Sequence, residues 1–233
     1  MNDHDWYPDE VTYAGPEHLD PAYTATYDRK ARTDWTGDLA LLRGLGLGAD
    51  STLVDLGAGT GAFATAVAPH CRRVVAVEPS PAMLAVLTER IARAGLTNVE
   101  AVRAGFLTYA HEGAPADFVY TRNALHQLPD LWKVVALERT AALLRRGGVL
   151  RLRDLVLSCE PAEVEGVVEA WLGAAPARPE EGWTRAELAT HLRTEYNTFS
   201  WLLEPMLERV GLAIREVEHS PNRAFAAYTC VKT

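Results

Sequence analysis

The stretch Val54-Asp-Leu-Gly-Ala-Gly-Thr-Gly61 sets three glycines at alternate positions, directly after a short apolar run and before an alanine-rich segment. Without a Cβ, glycine lets the backbone turn tightly and approach another group closely. A buried strand that enters such a turn and leaves as a helix is the start of a βαβ crossover. The chain is thereby committed to a mainly parallel sheet with helices against it.

The remaining pattern repeats that beat. Short apolar runs predict strands over residues 51–56, 73–77, 99–102, 116–121 and 149–155. Between them, helices are expected over 60–70, from Ser80-Pro81 to about 94 with Gly95 as the stop, and over 129–145 ended by Gly147-Gly148. Arg151 and Arg153 alternate with leucines in the fifth run, which predicts one exposed face or a charged cavity. Upstream, residues 1–20 read as an irregular arm. A helix is expected over 20–44, with Tyr23 and Tyr27 one turn apart on one face. Downstream, helices are expected over 160–172, from Thr184 with a capping box to Glu187, and over 198–210 with an interruption at Pro205. Residues 212–220 and 224–232 then form an antiparallel hairpin. The fold class is therefore α/β, a Rossmann-like three-layer sandwich. Its seven-stranded, mostly parallel sheet ends in a C-terminal antiparallel hairpin. Residues 1–50 form an N-terminal helical cap, and residues 51–233 form the Rossmann-like domain with a helical insert at about 158–205.

Bulk properties narrow the partners. There are 31 acidic against 23 basic residues, a net charge of -8, and no run of Lys and Arg to neutralise phosphates. Nucleic acid is accordingly not an expected partner. No apolar run spans a bilayer, and the N-terminus has no apolar signal core, so a cytoplasmic location without membrane contact is expected. The three cysteines, Cys71, Cys159 and Cys230, are far apart and form no Cys-x-x-Cys pair. Neither a disulfide framework nor a metal site is expected.

The glycine loop does not by itself name a ligand. Gly57, Gly59 and Ala62 also satisfy the dinucleotide pattern, and Glu78 falls where an acid would hold the ribose of NAD. An NAD-dependent oxidoreductase is thus one alternative. Asp55 speaks against it, since a carboxylate at the strand end repels a pyrophosphate but attracts an ammonium.

The glycine loop together with Val77-Glu-Pro-Ser-Pro-Ala-Met-Leu84, Ala124-Leu-His-Gln-Leu-Pro-Asp130 and Leu144-Arg-Arg-Gly-Gly-Val-Leu150 resembles the class I S-adenosylmethionine-dependent methyltransferases. Small-molecule members of the ubiquinone-biosynthesis type are the most similar. By motif the resemblance covers about residues 20–155, and by topology 210–233. It implies S-adenosylmethionine as cofactor, S-adenosylhomocysteine as product, and in-line transfer of a methyl group to a small-molecule acceptor.

The resemblance also implies roles. Gly57, Ala58, Gly59 and Gly61 would pass under the methionine part, and Asp55 would hold its amino-acid end. Glu78 would accept from both ribose hydroxyls, as two carboxylate oxygens suit a vicinal diol. Pro79 and Met83 would flank the adenine, and Gly105, Phe106 and Leu107 would cover its other face. Asn123 and Ala124 would line the methionine arm, and Tyr27 would close over the carboxylate. Many relatives carry an acid after the third strand for the adenine amine. Residues 104–108 contain none, which leaves backbone or Thr108 contacts. His126 is the candidate general base, because an imidazole titrates near neutrality. His191, Glu195 and the tryptophans Trp171, Trp183 and Trp201 fall in or beside the insert where an acceptor would bind. A homologue that binds the cofactor without methyl transfer is a further alternative.

Overall fold

The computed structural model describes residues 5–31 and 34–233. The sheet is built from β1 (Thr52–Leu56), β2 (Arg73–Val77), β3 (Val99–Val102), β4 (Ala116–Arg122), β5 (Leu144–Leu157), β6 (Thr198–Phe199), β7 (Leu212–His219) and β8 (Phe225–Lys232). Its order is β3-β2-β1-β4-β5-β8-β7, with the two-residue β6 beside the end of β5. β1 to β5 pair in parallel, whereas β8 is antiparallel to both β5 and β7. The seven expected strands are present, and β6 makes an eighth. A second mononucleotide half would need further parallel strands beyond β5, and an antiparallel hairpin stands there instead.

The three layers follow from the period-2 pattern of the strands. Leu53, Val74, Ala76, Phe118 and Tyr120 point to one face. They pack with α1 (Thr36–Gly44), α2 (Ala62–Val67) and α3 (Pro81–Arg93). Val54, Leu56, Val75, Val77 and Val119 point to the other, against α4 (Asp130–Leu143) and α7 (Ser200–Arg209). A third cluster joins α5 (Val164–Gly173) and α6 (Arg185–Thr194) to the ends of β5 and β8. Local signals set the helix starts. Ser80 accepts from the Met83 N–H at 3.2 Å with Pro81 in the first turn, and Thr184 and Glu187 form the capping box.

Four expectations change. The helix over 20–44 is broken into Pro21–Thr24, Tyr27–Ala31 and α1, and positions 32 and 33 lie outside the described residues. Beyond them the Asp34 carboxylate accepts from both the N–H and the hydroxyl of Thr36, a local turn that competes with helix continuation. The helix expected to reach residue 145 stops at Leu143, because Leu144 is buried and pairs with Ala116. The next registered pair is Phe118 with Val149, so Gly147 and Gly148 mark an irregularity inside β5 rather than a helix end. Finally, α7 runs through Pro205 without interruption, anchored on either side by buried Leu203 and Leu207.

Arg151 resolves the charged alternation of β5. It is buried, and its Nε donates to Asp38 Oδ1 of α1 at 2.8 Å, while Tyr120 Oη donates to the other Asp38 oxygen at 3.0 Å. The cysteines are buried and carry no disulfide, and no described helix is long and apolar enough to cross a membrane.

Candidate active site

Parallel strands end on one edge of the sheet, and the order reverses between β1 and β4, where open α/β sheets hold ligands. The glycine loop sits there. Gly57 and Ala58 both donate to the Val77 carbonyl, at 2.9 and 3.0 Å, which fixes the loop against the end of β2. Gly57 has φ +72°, and a Cβ on it would lie 2.4 Å from the Ala124 Cβ in the loop after β4. Two loops approach here at a distance only glycine permits.

Glu78, at the end of β2, is buried. One of its oxygens accepts from the Gly59 N–H and the other from the Ser80 N–H, each at 2.8 Å. A carboxylate has about four acceptor positions, so each oxygen retains one for a ligand. Burial pushes its pKa up to about 7, and the two N–H groups only partly offset this. Asp55, at the end of β1, is 2% exposed, and its Oδ2 has no hydrogen-bond partner. Burial, with the charge of Glu78 added, pushes it up to about 8. An orphaned buried carboxylate is costly unless something else meets it.

Three adjoining cavities open at this edge. The first is lined by Glu78, Pro79, Met83, Gly105, Phe106 and Ala124, with residues of the N-terminal arm above. The second runs from the glycine loop past Asp55 to Tyr120 and Arg122. The third is walled by Trp171, Trp183, Leu188 and Phe225, with His126, His191 and Glu195 as its polar side. Tyr27 and Asn123 line all three. Asn123 takes up φ +51°, the left-handed region that asparagine enters more readily than most non-glycine residues.

Comparison with known proteins agrees with this arrangement. A sequence family described as a methyltransferase domain matches residues 53–148, which hold the glycine loop, Glu78 and Asn123. An uncharacterized methyltransferase of Exiguobacterium sibiricum is 28% identical over 174 residues, covering 69% of this chain and 78% of the relative. The crystal structure of an S-adenosylmethionine-dependent methyltransferase from Aquifex aeolicus superposes with a TM-score of 0.63 at 18% identity, covering 91% of this chain and 98% of the other. Over residues 53–148 the chain matches that methyltransferase domain, and its fold is shared with a solved S-adenosylmethionine-dependent methyltransferase. The N-methyltransferase NodS of Bradyrhizobium japonicum, solved with S-adenosylhomocysteine, has this fold as well. Its TM-score is 0.58 at 16% identity, over 84% of this chain and 86% of NodS.

Most of the residues singled out from the sequence converge. Tyr27, Gly57, Gly59, Glu78, Pro79, Met83, Gly105, Phe106, Asn123 and Ala124 line the first cavity, and Asp55 and Ala58 line the second. Gly61 and Leu107 line neither. A Cβ on Gly61 would lie 2.1 Å from Leu87 Cδ1, so this glycine brings the loop onto α3. The Leu107 side chain is core, and its N–H donates to Glu10 at 2.9 Å.

His126 has unexpected company. Its Nδ1 meets Asp154 Oδ1 and its Nε2 lies 3.4 Å from Glu195 Oε2, with all three side chains buried. Burial alone would lower its pKa, but the Asp154 charge overrides this and raises it to about 10. Burial would raise Glu195, yet hydrogen bonds from His126 and His191 hold it well below the usual carboxylate range. The two carboxylates thus favour the imidazolium form of His126. Asp154 accepts from His126 and from the backbone N–H groups of residues 125, 126 and 155.

Sequence reasoning missed Glu10, His18, Arg122 and Gln127, all on the wall of the first cavity. Two of these signals were absent from local patterning, because an arm without strong periodicity gives no register by which to place Glu10 or His18. Gln127 was visible inside the Ala124–Asp130 motif but carried no distinguishing chemistry there.

Proposed function

We propose that this protein transfers the methyl group of S-adenosylmethionine, in line, to a small-molecule acceptor held in the third cavity. One observation carries this reading: Tyr27 and Asn123 belong to all three cavities, so a compartment for a second molecule meets the first two at the loop after β4. When bound, S-adenosylmethionine supplies an electrophilic methyl group on a sulfonium.

The residues present fit that cofactor. The orphaned Asp55 Oδ2 suits an ammonium, the open acceptor positions of Glu78 suit a ribose diol, and Gly57 and Gly59 leave the backbone bare beside them. An NAD pyrophosphate is less well served, since it brings no donor to the unpartnered Asp55 Oδ2 beside the glycine loop. Residues 1–50 and the insert at 158–205 act as covers that exclude water and restrict the acceptor's orientation. His126 serves as a fixed charge that orients Glu195 and the third cavity's wall, not as a general base. Alignment of the acceptor against the methyl group then supplies most of the acceleration.

The test is a labelling experiment. Purified protein is incubated with methyl-labelled S-adenosylmethionine and a bacterial extract, then passed through a small-pore ultrafilter. Label in a new filtrate compound supports the small-molecule reading. Label confined to retained protein or nucleic acid refutes it.

A further inference from the structure

The N-terminal arm carries a carboxylate into the first cavity. Glu10 is 6% exposed and lies at the end formed by Pro79, Met83, Gly105 and Phe106. Its Oε1 accepts from the Leu107 N–H at 2.9 Å, and its Oε2 accepts from the Thr108 hydroxyl at 2.7 Å. The Thr108 N–H also faces this carboxylate, which leaves it one of its about four acceptor positions. Gly105 is shaped around it, since a Cβ there would lie 2.4 Å from Glu10 Oε1. Residues 104–108 contain no acid of their own, and their missing side chain is the space that Glu10 fills.

Holding the arm in place does not call for a buried charge. Tyr7 Oη donates to the Leu107 carbonyl at 3.3 Å, and Ser80 Oγ donates to the His18 carbonyl at 2.7 Å. A neutral amide in place of Glu10 would satisfy its neighbours without the desolvation cost of a carboxylate. A carboxylate kept on the wall of the first cavity answers a donor on a bound ligand.

We propose that Glu10 is the residue that recognises the exocyclic amine of the cofactor's purine, so that the N-terminal arm completes the cofactor site. This rests on the S-adenosylmethionine reading above. It takes the place of the expected Thr108 contact, because the Thr108 hydroxyl donates to Glu10 and already accepts from the Gly105 N–H at 2.9 Å. A 6-oxo purine would set an acceptor against the carboxylate and be rejected, as a buried polar group left unpaired is the strongest source of discrimination.

The experiment is calorimetric titration of the full chain with S-adenosylhomocysteine and with S-inosylhomocysteine, its 6-oxo analogue. The wild type is expected to favour the amino compound by at least about tenfold. In Glu10→Ala the preference should fall below about threefold. The double variant Glu10→Ala/Gly105→Asp, which returns a carboxylate to the same space, should restore it. The Gly105 backbone is not left-handed, so it accepts a side chain once Glu10 is gone. Melting curves check that each variant folds, and Glu10→Gln stands in if Glu10→Ala does not. Equal binding of both compounds by the wild type overturns the proposal while leaving the cofactor reading intact. So does a tenfold preference kept in whichever Glu10 variant folds. If the wild type binds neither compound, the cofactor reading itself fails, and the proposal with it.

Discussion

Cofactor binding should release protons, and the amount follows from two carboxylates. Asp55, pushed up to about 8, is about nine-tenths protonated at pH 7, and Glu78, at about 7, is about half protonated. An ammonium beside Asp55 and two hydroxyl donors on Glu78 both favour the ionised forms. Binding S-adenosylhomocysteine at pH 7 should therefore expel about 1.4 protons. Calorimetry in buffers of different ionisation enthalpy measures this directly, as the slope of observed heat against buffer enthalpy. Asp55→Asn is isosteric and removes one titrating group, so it should reduce the release to about half a proton. No net release, or an unchanged release in Asp55→Asn, would refute the pairing of Asp55 with the ammonium.

The unliganded protein should lose stability as pH rises from about 6.5 to 9.5. Asp55, Glu78 and His126 all have folded-state pKa values above their ordinary ones, so each contribution is present at low pH and is lost as pH passes the folded value. Urea titrations that show stability rising across this window would contradict those environments. Gly57→Ala should cost about 2–4 kcal/mol, combining the left-handed backbone with the overlap at Ala124. Gly59→Ala, at φ +56° with no neighbour within 4 Å, should cost only about 1–2 kcal/mol. Equal losses in chemical denaturation would mean that the Ala124 contact is not made. His126→Ala leaves buried Asp154 with backbone donors only, at a cost of about 3 kcal/mol, the low end for breaking a buried pair. A loss under 1 kcal/mol would show that the two groups are not paired.

Much of this arrangement was legible because its determinants are local. β2 and β3 begin and end where their apolar runs do, and Ser80-Pro81 starts α3 as its cap chemistry dictates. Asp55 and Glu78 stood out because each ends a buried strand beside the glycine loop. The failures share a different cause. Leu144 enters the sheet because Ala116 is there to pair with it, and Glu10 reaches Leu107 across 97 positions of sequence. His126 drew attention as a base because an imidazole titrates near neutrality. Its surroundings are set by Asp154, 28 positions away, and by Glu195 of the helical insert. Long-range electrostatics and packing decide these roles, and periodicity carries no record of them.

The central claim is that Asp55, Glu78 and the glycine loop hold S-adenosylmethionine. The direct measurement is calorimetric titration of the purified protein with S-adenosylhomocysteine, with NAD in parallel and Glu78→Ala as the control. Saturable binding of S-adenosylhomocysteine that weakens by about tenfold or more in Glu78→Ala, with no binding of NAD, is the predicted result. Binding of NAD alone, or binding of S-adenosylhomocysteine unaffected by Glu78→Ala, would contradict it.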